Sequence, residues 1–176
     1  MSQDSINKYL RFTTGIICSL GIGFYAHAGT QSFNANIRFV SPLVMTNVNN
    51  PDFGTFETGA TDRNFVLRTD GSISGSNANA YVGGASAGSM MIHGSATQHI
   101  DIVAQNIVAD GGVTITNIIC NYGGAGDRDC KTGITAGAQP TPAGTPLLIG
   151  LDITTTKAHM DGDTAAPAFD IVINYN

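Results

Sequence analysis

The side chains able to do chemistry in this 176-residue chain are few and scattered. His93 and His99 flank Gly94-Ser95-Ala96, and Asp101 follows closely. If the two flanking runs form a hairpin, the imidazoles face each other, and a carboxylate beside them would complete a zinc-ligand set. Polar strand residues facing solvent explain the same pattern more simply, and no metal is expected. His159 lies near Asp161-Gly162-Asp163. That triplet reads as a solvated turn, because the spaced oxygen ligands and terminal Glu of a calcium loop are missing. Gly71-Ser72-Ile73-Ser74-Gly75 has Ile where a nucleophile elbow needs serine. Gly83-Gly84 and Gly111-Gly112 do not open a helix after a strand, so neither forms a phosphate cradle. A carboxylate pair for glycoside hydrolysis must face across a cleft, which spacing alone does not establish. No catalytic residue and no cofactor is assigned, and the expectation is a protein that is not an enzyme.

The start of the chain sets the compartment. Lys8 and Arg11 precede an apolar run, Gly15 to Tyr25, that is too short to span a bilayer. Ala26-His27-Ala28 then gives the small-x-small pattern of a signal-peptidase site, with the cut expected between Ala28 and Gly29. Residues 1–28 are thus read as a signal peptide and 29–176 as one exported domain. No later stretch is apolar enough to form a transmembrane segment. Cys120 and Cys130 are the cysteines left after cleavage, and in an exported chain they are expected to form one disulfide. Eight basic residues stand against 13 acidic ones, a net charge of −5. Losing Lys8, Arg11 and Asp4 makes the balance more acidic still. With no basic patch, nucleic acid and anionic lipid are poor partners.

The elements that must carry these residues are short strands. Apolar side chains recur with period two, punctuated by Gly and Pro, and long helical periods are absent. Phe33, Ala35, Ile37 and Phe39 alternate with polar residues. Leu43 to Val48 follows Pro42. Asn64 to Thr69 ends at Asp70-Gly71, a strong turn dipeptide. Ser89 to His93 and Gln98 to Ala104 flank Gly94-Ser95-Ala96 and read as a hairpin. A weak strand is expected at Ala80–Val82. Val113, Ile115 and Ile119 follow the turn Asp110-Gly111-Gly112. Leu147 to Thr155 is a further strand, and Phe169, Ile171, Ile173 and Tyr175 alternate cleanly to the terminus. Gly123 to Pro146 is the main irregular stretch. Eight to ten short strands with a turn about every ten residues predict an all-β antiparallel sandwich or barrel.

Three stretches carry a resemblance: Ala35 to Phe56, the run Ala85 to Val103, and the terminus Ala168 to Asn176. Their order and spacing resemble a bacterial exported family labelled domain of unknown function 4402. The ends are also similar to subunits of chaperone–usher pili, in particular the group that includes spore-coat-U-like pilins. The resemblance implies an immunoglobulin-like sandwich lacking its last strand. It implies an N-terminal donor strand, here residues 31–40 with Phe33, Ala35, Ile37 and Phe39. It also implies a terminal strand with Tyr second to last, here Phe169, Ile171, Ile173 and Tyr175. Many such pilins carry an early cysteine, whereas this chain has its pair at Cys120 and Cys130. The function expected from the resemblance is a structural subunit of a pilus-like surface fibre, or fimbrium, assembled by strand donation. Its partners would be copies of itself or related subunits, with a periplasmic chaperone and an outer-membrane usher in transit. The alternative is a self-complete secreted sandwich that binds a glycan or protein at the cell surface. The two differ in whether Phe33–Phe39 fills a neighbour or packs in its own domain.

Overall fold

The computed structural model describes residues 37–59 and 62–176. The expected cleavage site between Ala28 and Gly29, together with Phe33 and Ala35, lies outside the described residues. Residues 38–176 form one compact unit.

The described residues are all-β, with antiparallel pairing throughout the named strands. The long strand β11 (Thr145–Thr155) is the axis of the larger sheet. Along one edge it pairs with β8 (Val113–Tyr122). Its other edge is shared. Residues 145–149 pair with β6 (Gly88–His93) and residues 151–154 with β3 (Asn64–Leu67). Beyond β6 lies β1 (Val44–Asn49), beyond β3 lies β4 (Ile73–Ser74), and beyond β8 lies β9 (Arg128–Asp129). A second sheet has the order β10 (Ile134–Thr135), β7 (Ile100–Val108), β12 (Ala168–Tyr175). A small ribbon joins β2 (Thr55–Phe56) to β5 (Tyr81–Gly83).

The reason for two layers is the period-two pattern. Met90 and Ile92 of β6, Ile100, Ile102 and Ala104 of β7, and Leu147, Ile149, Leu151 and Ile153 of β11 are buried in one cluster. Their alternating neighbours face outward, so each strand is half-buried, as a sheet with one solvated face requires. Cys120 and Cys130 are fully buried in that cluster and are disulfide-bonded, with Cα atoms 5.7 Å apart.

Two expectations are corrected. The runs around Gly94-Ser95-Ala96 are strands but not a hairpin: β6 pairs with β1 and β11, and β7 pairs with β10 and β12. The chain crosses from one sheet to the other there. A Cβ on Gly94 would sit 3.0 Å from Leu43 and 3.0 Å from Pro140, so the crossing is too tight for a side chain. The second correction is in β8, where Ile118 rather than Ile119 is fully buried. Ile115 pairs with Ile153 but Asn117 pairs with Asp152, so Thr116 is an extra residue that flips the inward face. Of the candidate donor strand 31–40, the described part begins at Ile37. Ile37 to Val40 are in no strand, and Ile37 and Phe39 are 75 % and 90 % exposed.

Candidate functional site

The conspicuous feature of the sandwich is a cleft of about 1330 Å³ on one flank. Its walls come from both sheets. Met45 and Val48 of β1, Met90 of β6 and Ile149 of β11 line one side, and Phe169 and Ile171 of β12 line the other. The deeper part is aromatic: the Phe56 ring centroid lies 4.1 Å from that of Phe65 and 6.3 Å from that of Phe53. Such tilted contacts hold the rings as a fixed apolar floor. Charged groups lie along the cleft's lining at Asp52, Glu57, Arg63, Asp161 and Asp163. Asp52 is used locally, since its carboxylate accepts from the Gly54 amide at 2.7 Å. The Arg63 guanidinium donates to the Glu57 carbonyl at 3.3 Å.

The two strands that border the cleft are both sheet edges. Among the described residues β12 pairs only with β7, and β1 pairs only with β6. Each therefore presents a row of backbone amides and carbonyls on the cleft side of its sheet, and such groups demand partners. Val44, Met45 and Val48 on β1 are about half exposed. A cleft that offers both apolar walls and unpaired backbone fits an extended peptide better than a purely apolar ligand, because only a peptide satisfies the strand edges.

The end of β12 is tied to the segment that enters β1. The Tyr175 hydroxyl accepts from the Ser95 amide and donates to the Ser41 carbonyl, each at 2.7 Å. The end of β12, the sheet crossing and the segment entering β1 thus meet at one phenol. Just before that tie, Arg38 donates to the Thr97 carbonyl at 3.3 Å, and Phe39 projects into solvent. In the cleft's lining, the segments around Gly59 and His159 meet through one backbone bond, Gly59 amide to His159 carbonyl. The His159 imidazole Nδ1 lies 3.8 Å from the Asp163 carboxylate.

The residues singled out for metal chemistry are used elsewhere. His93 bridges the Thr46 hydroxyl at 2.8 Å and the Pro142 carbonyl at 3.1 Å. His99 meets the Ala136 carbonyl at 3.2 Å. Asp101 accepts from Thr135 and Asn176 side chains. Among the described residues no group of three His, Cys, Asp or Glu side chains is placed to hold a metal ion. Of the ionisable groups, burial pushes the Tyr122 hydroxyl up from its usual range, and that hydroxyl has no hydrogen-bond partner among the described residues. Burial likewise raises the Asp152 carboxyl, against Asn117 and Arg68, which favour its charged form. Neither group lines the cleft.

Sequence reasoning named Phe169 and Ile171 but missed Met45, Val48, Met90 and the Phe56–Phe65 floor as parts of one site. The aromatic spacing at 53, 56 and 65 was the available signal. No protein-family model matches the chain, and no curated protein or solved structure matches it significantly.

Proposed function

We propose that this chain is a structural subunit of a pilus-like surface fibre, assembled by β-strand donation, on an immunoglobulin-like, pilin-like sandwich. The observation that carries the reading is the apolar cleft between two strand edges, β12 and β1, that are unpaired among the described residues. The occupant is residues 31–40 of a second copy. Phe33, Ala35, Ile37 and Phe39 share one side of that segment when it is extended. Ile37 and Phe39 are exposed rather than packed in the sandwich. Burying each large side chain would contribute about 1.5–3 kcal/mol. Ordering the segment costs about 1–2 kcal/mol per residue in backbone entropy. Apolar burial alone therefore does not hold the strand, and pairing with the β12 edge supplies the remainder. The exported-family and pilin resemblances support the same reading. They bring with them export through the inner membrane, a periplasmic chaperone that covers the cleft in transit, and an outer-membrane usher. The chain has no catalytic role in this account.

A synthetic peptide of residues 31–40 tests it. Added to the Gly29–Asn176 protein, the peptide should shift the backbone amide resonances of Phe169 to Ile173 and of Met45 to Val48, and raise the melting temperature. Binding elsewhere, or no binding at millimolar peptide, would favour the self-complete surface-binding module.

A further inference from the structure

The flank opposite the cleft is closed, and one segment closes it. Residues 123–136 run along the outer edges of both sheets. Asp129 and Arg128 pair with Ile119 and Cys120 of β8. Ile134 and Thr135 pair with Ile102 and Asp101 of β7. Between these two short pairings lies Cys130, whose backbone reaches both layers. Its amide donates to the Ile118 carbonyl of β8, and its carbonyl accepts from the Ala104 amide of β7, each at 2.8 Å. Its side chain is bonded to Cys120 of β8. Without this segment, β7 and β8 would each present an open edge beside the buried Ile102, Ala104 and Ile118, as β12 and β1 do on the other flank.

We infer that the segment 123–136 is a built-in strand cap, and that the Cys120–Cys130 bridge fixes it so that the folded chain offers one strand-accepting flank instead of two. Two features support this. The pairings that hold the segment are only two residues long. The turn that leads into it from β8 contains Gly123, Gly124 and Gly126, all at positive φ, so local pairing alone gives it little persistence. A cross-link that shortens the free chain supplies what the short pairings lack. The outward side of the cap also differs from the cleft. Arg128, Asp129 and Lys131 are exposed there, and charged edges resist further strand addition. The β1 strand on the open flank carries no charge, and β12 carries only Asp170, which accepts from the Asn106 side chain at 2.7 Å. A chain with one acceptor flank extends a linear fibre, whereas a chain with two would branch or aggregate. This last consequence rests on the strand-donation reading; the cap itself does not.

Amide hydrogen exchange on the exported protein and on the Cys120→Ala/Cys130→Ala double variant tests the cap. The variant should lose protection at Ala104 and Ala136 by at least ~10-fold, while the Ile92 and Ile149 amides between β6 and β11 change far less. A uniform loss at all four sites, or no loss, would overturn the inference, since the bridge would then support the whole fold or nothing. The wild-type protein gives a second reading that does not depend on the variant folding. Dithiothreitol, which closes to its cyclic disulfide as it converts the bridge to two thiols, is added with an alkylating trap. Both cysteines are fully buried, so reduction requires opening. Reduction at least ~10-fold faster than global unfolding means that the cap lifts locally. Equal rates would contradict the cap. The assembly consequence has its own readout: the 31–40 peptide should bind the wild type at one equivalent and the double variant at two. No binding to either would sink strand donation while leaving the exchange result to decide the cap.

Discussion

Replacing Ile37 with Asp separates the two roles that a donor residue has. In its own subunit Ile37 is 75 % exposed and belongs to no strand. A substitution at such a position changes stability by about 0.5 kcal/mol or less. The melting temperature of the Ile37→Asp subunit should therefore match that of the wild-type monomer within about 1–2 °C, roughly what such a change produces in a domain of this size. In a neighbour's cleft the same residue would be buried against Phe169, Ile171 and Met90. Losing that burial costs about 1.5–3 kcal/mol. Placing a carboxylate there without a partner adds a desolvation penalty of at least similar size. Since 1.4 kcal/mol is about tenfold in affinity, the two together, at least about 3 kcal/mol, should weaken the donor strand's binding at least ~100-fold. Fluorescence anisotropy of labelled 31–40 peptides, wild type and Ile37→Asp, measures this directly. Size-exclusion chromatography of the matching full-length subunits reports the loss of oligomers. The reasoning fails if the Ile37→Asp monomer melts many degrees below the wild-type monomer, because the residue would then pack in its own domain.

Other outcomes follow from the same geometry. Tyr175→Phe removes the hydroxyl that serves Ser95 and Ser41; at about 1 kcal/mol per hydrogen bond, urea titration should show a loss of about 1–3 kcal/mol. Gly94→Ala would place a Cβ 2.5 Å from the Tyr175 hydroxyl, and overpacking at that crossing should cost about 1–3 kcal/mol in the same assay. Burial raises the Tyr122 pKa, so the folded state keeps a proton that the unfolded chain gives up. Stability should accordingly fall as pH rises beyond the usual tyrosine value of about 10. Tyr122→Phe should flatten that part of the stability–pH curve, and an unchanged slope would show that another group causes it.

The parts of the fold legible in the sequence are those set by local alternation. The run Phe169, Ile171, Ile173, Tyr175 announces β12, and the pattern of Met90 and Ile92 announces β6, because a half-buried strand needs only its own residues to show period two. The sheet to which each strand belongs is not local. Gly94-Ser95-Ala96 looks like a hairpin turn, yet close packing of Leu43, Pro140 and Tyr175 around Gly94 turns it into a crossing between layers. In β8 a single extra residue, Thr116, shifts the inward face from Ile119 to Ile118, and only the partner strand β11 reveals the shift. The cleft is a still less local property. Met45, Phe56, Met90 and Phe169 are ordinary core-type residues in sequence. They line one cleft because β12 and β1 border it, each paired along one side among the described residues. The disulfide was legible as a pairing from export and cysteine count. Its place across the far flank was not, since that depends on Cys130 lying between β7 and β8.

The central claim is that the cleft takes residues 31–40 of another copy. Appending a second Gln31–Val40 after Asn176 through a flexible linker tests it most directly. Sedimentation velocity and thermal melting would then compare the appended protein with wild-type Gly29–Asn176. The account predicts that the wild type forms heat-resistant oligomers, while the appended protein is a monomer with a higher melting temperature than the wild-type monomer. A wild type that is already a stable monomer, unchanged in size and melting temperature by the appended strand, would contradict it.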